Sequence, residues 1–126
     1  MKTLLVALAL VGTTSGVQAL PQAPDAQLQF FAACAGRLSA TAEHQSIFDG
    51  RATDQTMHQH QTLVELIDAI MPEGRGKDVR NWQLHAKVAH SGLLSRAALA
   101  NDSRVSREAE RLAGLYLAEC TQVLLG

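Results

Sequence analysis

Breaks in the helical pattern divide this chain into four segments. Three stretches rich in Gly, Pro, Asn or Asp interrupt it: FDGRAT (48–53), MPEGRGK (71–77) and LANDS (99–103). Such residues end helices and form turns. The segments of about 20 residues that they separate each place apolar side chains on one side when plotted at about 100° per residue. Four amphipathic helices with short connections predict an all-α fold, an antiparallel up-and-down four-helix bundle.

The two cysteines provide an independent test of this topology. Cys34 lies on the apolar face near the start of the first helix, and Cys120 lies on the apolar face near the end of the fourth. An up-and-down bundle brings these two ends together. An even pair of cysteines in an oxidising compartment is typical of a disulfide. We therefore expect one disulfide, between helices 1 and 4.

The first 19 residues, MKTLLVALALVGTTSGVQA, have the pattern of a secretory signal peptide. Lys2 and an apolar run precede small residues, with Val17 and Ala19 at the positions that a signal peptidase prefers. We expect cleavage after Ala19, which leaves residues 20–126 as a single helical domain. The apolar run is shorter than the roughly 20 residues of a membrane span. The sequence thus predicts an exported protein without a transmembrane segment, periplasmic if the source is bacterial and otherwise secreted.

The charge is close to balanced overall and uneven along the chain. Without Lys2, ten basic residues face twelve acidic ones, which gives no reason to expect a nucleic-acid partner. Residues 20–74 hold two basic and seven acidic residues, whereas residues 75–111 hold eight basic and four acidic. Two interpretations stay open. Acidic early helices lie beside basic later ones within one domain, or a bipolar surface orients a protein partner.

The stretch MHQHQ (57–61) carries two histidines that a helix directs to different sides. Residues two apart point about 200° apart, so His58 and His60 do not bind the same ion on a helix. His58 falls among polar residues and His60 among apolar ones. One interpretation makes His60 a core histidine that hydrogen-bonds Gln45 of the first helix. The alternative is a polar centre at which His60 and Gln45 bind a small ligand or a metal ion.

Other patterns of reactive residues give little support for catalysis. No Cys-x-x-Cys pair, Gly-x-Ser-x-Gly turn or phosphate-binding glycine loop occurs in the sequence. His85 and His90 flank the apolar stripe of the third helix on opposite sides. That stripe consists of Val79, Trp82, Ala86, Ala89, Leu93 and Ala97. A metal site assembled across helices from His44, His60 and His85 is the less favoured alternative, because the pairwise spacing of known helical metal sites is missing. We expect no enzyme activity, no cofactor and no bound metal.

The third helix has more apolar residues than one core face requires. Leu84, Val88 and Leu99, with Gly92 close by, lie roughly opposite the apolar stripe of this helix, where a bundle helix normally presents polar residues. Either a neighbouring element covers this strip, or the strip binds another protein or a second copy of the chain. The sequence therefore predicts a protein that acts by binding, as an accessory subunit, an inhibitor or immunity-type protein, or a scaffold. A small-ligand or metal carrier is the alternative.

Overall fold

The computed structural model describes residues 20–125, and these residues form four helices without a β-strand. The predicted all-α fold is confirmed, and the connections fall at the three predicted breaks. The expected signal peptide lies outside the described residues. The helices are α1 (Pro24–Phe48), α2 (Gly50–Ile70), α3 (Gly76–Leu99) and α4 (Ser103–Leu124).

Local sequence explains where the helices begin and end. Pro24 occupies the first turn of α1, where a backbone N–H has no helical partner to lose. Asp49, with φ −152° and ψ 84°, is the one residue between α1 and α2. In the next connection Gly74 has a φ of +82°, a left-handed conformation that favours glycine. Asp102 caps α4, because its Oδ1 accepts a hydrogen bond of 2.8 Å from the Arg104 backbone N–H.

The helices alternate in direction, as an up-and-down bundle requires. Ion pairs join Asp25 to Arg75 at the start of α1 and α3, and Glu43 to Lys87 further along both helices, so these two helices run the same way. A disulfide joins Cys34, early in α1, to Cys120, late in α4, so these two run in opposite directions. The S–S distance is 2.07 Å and the two Cα atoms are 5.4 Å apart. The predicted disulfide between helices 1 and 4 is confirmed.

Helices α1 and α3 form the central pair of the bundle. A Cβ atom at Gly36 of α1 would lie 2.2 Å from the backbone oxygen of Gln83 and 3.0 Å from the backbone nitrogen of Lys87, both on α3. The backbones of the two helices are therefore in direct contact. Helix α2 packs extensively on α1, and α4 packs on α3 and more lightly on α1. Within residues 20–125, α2 does not pack extensively against α3, although a short turn joins them.

The core lies around α1, whose buried face is rich in alanine. The main cluster combines alanines of α1 with larger side chains from all four helices. Gly36 of α1 is also buried, and these small residues allow the helix axes to approach closely. A second cluster lies between α3 and α4. The fully buried side chains of greatest volume are Leu28, Leu38, Leu63 and the two cysteines, Cys34 and Cys120.

Candidate functional site

An open groove lies between α2 and α3, with α1 as its floor. Ala35, Gly36 and Ser39 of α1 line the floor, and the groove has a volume of about 540 Å³. Its lining runs along residues 60–71 on the α2 side and 76–87 on the α3 side. At a rise of 1.5 Å per residue, each wall is about 16 Å long. The groove exists because α3 packs on α1 rather than on α2, and because the floor residues Ala35 and Ser39 have short side chains.

The walls of the groove are mainly apolar. Val64, Ile67 and Met71 lie on the α2 side, and Val79 and Leu84 lie on α3. Ile67 and Val79 are buried, so they belong to the core as well as to the deep part of the groove. Leu84 is 57 % exposed and stands at the mouth. An apolar groove of this kind exposes hydrocarbon to water, which is unfavourable. Binding a complementary surface would remove that hydrocarbon from water.

The two walls carry opposite charges. Asp68 lines the α2 side, and Arg80 and Lys87 line the α3 side. Lys87 is engaged in an ion pair with Glu43 of α1. Among the described residues, neither Asp68 nor Arg80 forms an ion pair. One acidic and one basic group, both without an ion-pair partner, therefore lie on opposite walls of the same groove. This agrees with the uneven distribution of charge along the sequence.

His60 lies half-buried at one end of this groove, and His58 is exposed, as the helical pattern predicted. Burial lowers the pKa of His60, and the positive charge of Lys87 lowers it further. The expected hydrogen bond with Gln45 is not formed, because the buried Oε1 of Gln45 has no hydrogen-bond partner and no donation from its amide to His60 occurs. Antiparallel packing of α1 and α2 brings Ser39 to the His60 end of the groove, while Gln45 lies further along α1 and does not line it.

The predicted partner strip on α3 is exposed. Leu84, Val88 and Leu99 are 57 %, 64 % and 74 % accessible, and a Cβ at Gly92 would have open space around it. Residues 20–125 therefore leave the strip uncovered. Of the four, Leu84 alone lines the groove. Whether the strip binds a partner stays a prediction.

The histidines considered for a metal site lie in different surroundings. His44 packs on Phe48 with ring centroids 4.5 Å apart, His60 lines the groove and His85 is exposed. Among the residues that the structure describes, no group of three His, Cys, Asp or Glu side chains is arranged to hold a metal ion.

Sequence reasoning missed the most deeply buried histidine. His90 of α3 is 2 % exposed, and neither ring nitrogen has a hydrogen-bond partner among the described residues. The position of His90 on the helical wheel indicates its burial. His90 is eleven residues after Val79, which places it about 20° from Val79 and therefore on the core face of α3.

Comparisons with protein-family models, with curated proteins and with solved structures found no match for this chain. Between residues 20 and 125, no helix is long and apolar enough to cross a membrane.

Proposed function

We propose that this protein acts by binding, without catalysis of its own, and that the groove between α2 and α3 accepts a helical segment of a partner protein. The observation that carries this proposal is the separation of α2 from α3 above a floor of small residues. Two helices joined by a short turn normally bury their apolar faces against each other. In this protein, the apolar faces of α2 and α3 instead lie on opposite sides of the groove.

The dimensions of the groove suit a short helix. A length of about 16 Å corresponds to three helical turns, over which an amphipathic helix presents apolar side chains at spacings of three and four residues. Laying such a stripe into an apolar groove is a recurrent mode of peptide recognition. Ala35 and Ser39 at the floor have short side chains, which leaves room for the apolar side chains of the occupant.

Charge defines the occupant further. A helix in the groove would meet Asp68 along one flank and Arg80 along the other. We therefore expect its apolar stripe to be bordered by a basic residue on one side and an acidic residue on the other. Because reversing the helix exchanges its flanks, this pair of charges also determines the direction in which the helix lies.

We also propose that the protein is exported. The Cys34–Cys120 disulfide supports this proposal, because such bonds persist mainly in oxidising compartments. The signal-like pattern of residues 1–19 supports it as well. The test is expression of the full chain in a bacterial host, followed by mass spectrometry of the protein in each compartment. An exported product that begins at Leu20 is expected, and an intact chain in the cytoplasm would contradict the proposal.

The groove can be tested with synthetic helical peptides of three to four turns. The probe peptide has a leucine stripe flanked by lysine on one side and glutamate on the other, and two comparison peptides carry only lysine or only glutamate on both flanks. Isothermal titration calorimetry should show the tightest binding for the mixed peptide, by roughly twofold to fivefold, because exposed ion pairs contribute about 0.2–1 kcal/mol each. A peptide with the leucines scrambled should not bind.

A pair of matched variants locates the binding. Leu84→Lys places a charge at the apolar mouth of the groove and should abolish binding. Leu115→Lys changes a leucine of similar exposure on α4, away from the groove, and should leave binding unchanged. Equal affinity for wild type and Leu84→Lys would overturn the proposal. The protein could also form a dimer in the absence of peptide. If Leu84→Lys converts that dimer to a monomer, the occupant of the groove is a second copy of the chain, and the proposal of a partner protein is overturned.

A further inference from the structure

A second cavity, separate from the groove, lies between α1, α3 and α4. Its volume is about 390 Å³, within the range of small-ligand sites. Its apolar wall includes Leu94, Ala97 and Leu117, and its polar groups are His90, Thr41, His44 and Glu110. The small residues Ala113 and Gly114 of α4 also line it, and a Cβ at Gly114 would have no neighbour within 4 Å. The space is therefore present because α4 has little side chain there.

His90 is the unusual member of this lining. A buried polar group without a hydrogen bond costs about 1–3 kcal/mol, and most buried polar groups in proteins have a partner. Both nitrogens of His90 lack one among the described residues. A neutral imidazole offers one N–H donor and one acceptor nitrogen. His90 thus presents a buried donor and a buried acceptor beside a cavity that is large enough for a molecule.

The charges around the cavity do not favour an ion beside His90. Glu110 in the lining disfavours an anion. Arg37, which is ion-paired with Glu119 and whose positive charge acts on His90, disfavours a cation next to the ring. Burial, and then Arg37, lowers the pKa of His90 to about 4, so its ring is neutral at physiological pH. A hydroxyl group fits this ring in either tautomer, because it donates to the bare nitrogen or accepts from the protonated one.

We propose that the cavity beside His90 binds a small, neutral, mainly apolar molecule that carries a hydroxyl group, such as a phenol or an aliphatic alcohol. The apolar body packs against Leu94, Ala97 and Leu117. The hydroxyl group hydrogen-bonds to the His90 ring. This site is independent of the groove and of the partner proposed for it.

The experiment uses 4-methylphenol as the probe and toluene as its analogue without a hydroxyl group. Both are titrated into the mature, oxidised protein while the imidazole nitrogens are followed by NMR. We expect 4-methylphenol to shift a nitrogen resonance of His90 saturably. In His90→Leu, the ratio of the affinities for 4-methylphenol and toluene should fall by up to about tenfold, the effect of losing one hydrogen bond.

Filling the cavity gives a second test that does not depend on His90. Gly114→Leu should abolish the binding of both molecules, because its side chain has open space to occupy. Gly50→Leu is the control, since Gly50 is another helical glycine with no neighbour around its Cβ and does not line the cavity. Thermal unfolding verifies that both variants are folded.

Three results would overturn the proposal. The first is the absence of a saturable shift at His90 in the wild-type protein. The second is binding that persists unchanged in Gly114→Leu. The third is a stoichiometric response of His90 to Zn²⁺ that His44→Ala removes, which would assign the cavity to a metal ion instead.

Discussion

Gly36 of α1 and Gln83 of α3 bring two helix backbones into direct contact, since a Cβ at position 36 would lie 2.2 Å from the Gln83 carbonyl oxygen. We predict that Gly36→Ala destabilises the protein by about 1–3 kcal/mol, the range for overpacking a well-packed core. Urea unfolding measures the change. In an exposed helix interior the same substitution is favourable by about 1 kcal/mol, so Gly114→Ala, which adds a Cβ in open space, should be neutral or stabilising. Equal effects at both positions would contradict the close contact.

Removing the Cys34–Cys120 disulfide should destabilise the fold strongly. The two residues are 86 positions apart, and closing a loop of this length lowers the entropy of the unfolded chain by the equivalent of about 4 kcal/mol. Both cysteines are fully buried, so mild reductants should react slowly with the folded protein. The measurement compares thermal unfolding of the oxidised protein and of Cys34→Ala/Cys120→Ala. Two free thiols in the unfolded, unreduced protein would contradict the assignment.

Stability should fall between pH 6.5 and pH 4 because of His90. Its pKa is lowered from 6.5 to about 4 in the folded state, so across this interval the unfolded chain binds a proton that the folded chain does not. The contribution of His90 to the free energy of unfolding is therefore at its maximum above pH 6.5. As the pH falls to about 4, the free energy of unfolding decreases by about 3 kcal/mol in total.

The charged and titratable groups near His90 are Arg37, His44 and Glu110, and their own effects must be separated from that of the imidazole. Urea unfolding of wild type and His90→Leu at pH 7 and pH 4 provides this separation. The variant should lose less stability on acidification, by about 3 kcal/mol. An identical loss in both proteins would show that His90 is not the group responsible.

The histidines of MHQHQ should differ in their effect on stability. His60→Ala removes a half-buried ring that lines the groove and should cost about 1 kcal/mol, whereas His58→Ala changes an exposed residue and should cost less than about 0.5 kcal/mol. Chemical denaturation of both variants measures the difference. Equal costs would contradict the helical orientation of this segment.

The exposed strip of α3 should tolerate charge. Leu84→Lys/Val88→Lys replaces side chains that are 57 % and 64 % exposed, so the free energy of unfolding should change by less than about 0.5 kcal/mol per site. Light scattering should report a folded monomer. The control Val79→Lys introduces a charge at a buried position of the same helix and should prevent folding. A double variant that also fails to fold would place the strip in the core.

The sequence predicted the helices and the disulfide well because these depend on local patterns. Pro24, Gly74 and Asp102 set helix ends through their own backbone and capping chemistry, and Cys34 and Cys120 had one possible partner each. Which helices pack together depends on residues without a distinctive pattern. Gly36 looks like any glycine in an alanine-rich helix, yet it decides that α3 approaches α1.

The candidate site was harder to predict for the same reason. The groove results from the placement of α3 on α1, so its lining cannot be read from the apolar face of any single helix. The wheel of α2 places His60 on its apolar side, and His60 lines the groove. The separate wheels of α1 and α2 do not contain the axial offset that keeps Gln45 away from it. His90 shares the phase of Val79 on the helical wheel, but it lies at the edge of the apolar stripe that predicts the core face of α3, so the stripe alone does not indicate its burial.

The disulfide also makes most of the chain a closed covalent ring, since Cys34 and Cys120 enclose all of α2 and α3 together with all three connections between the helices. A protease that cuts at the exposed residues 72–74 would therefore produce two polypeptides that stay attached. The nicked molecule would gain only the mass of one water, and its two fragments would separate after reduction. Cleavage at the turn between the groove walls consequently leaves the molecular size almost unchanged under oxidising conditions, and reduction of the disulfide reveals it.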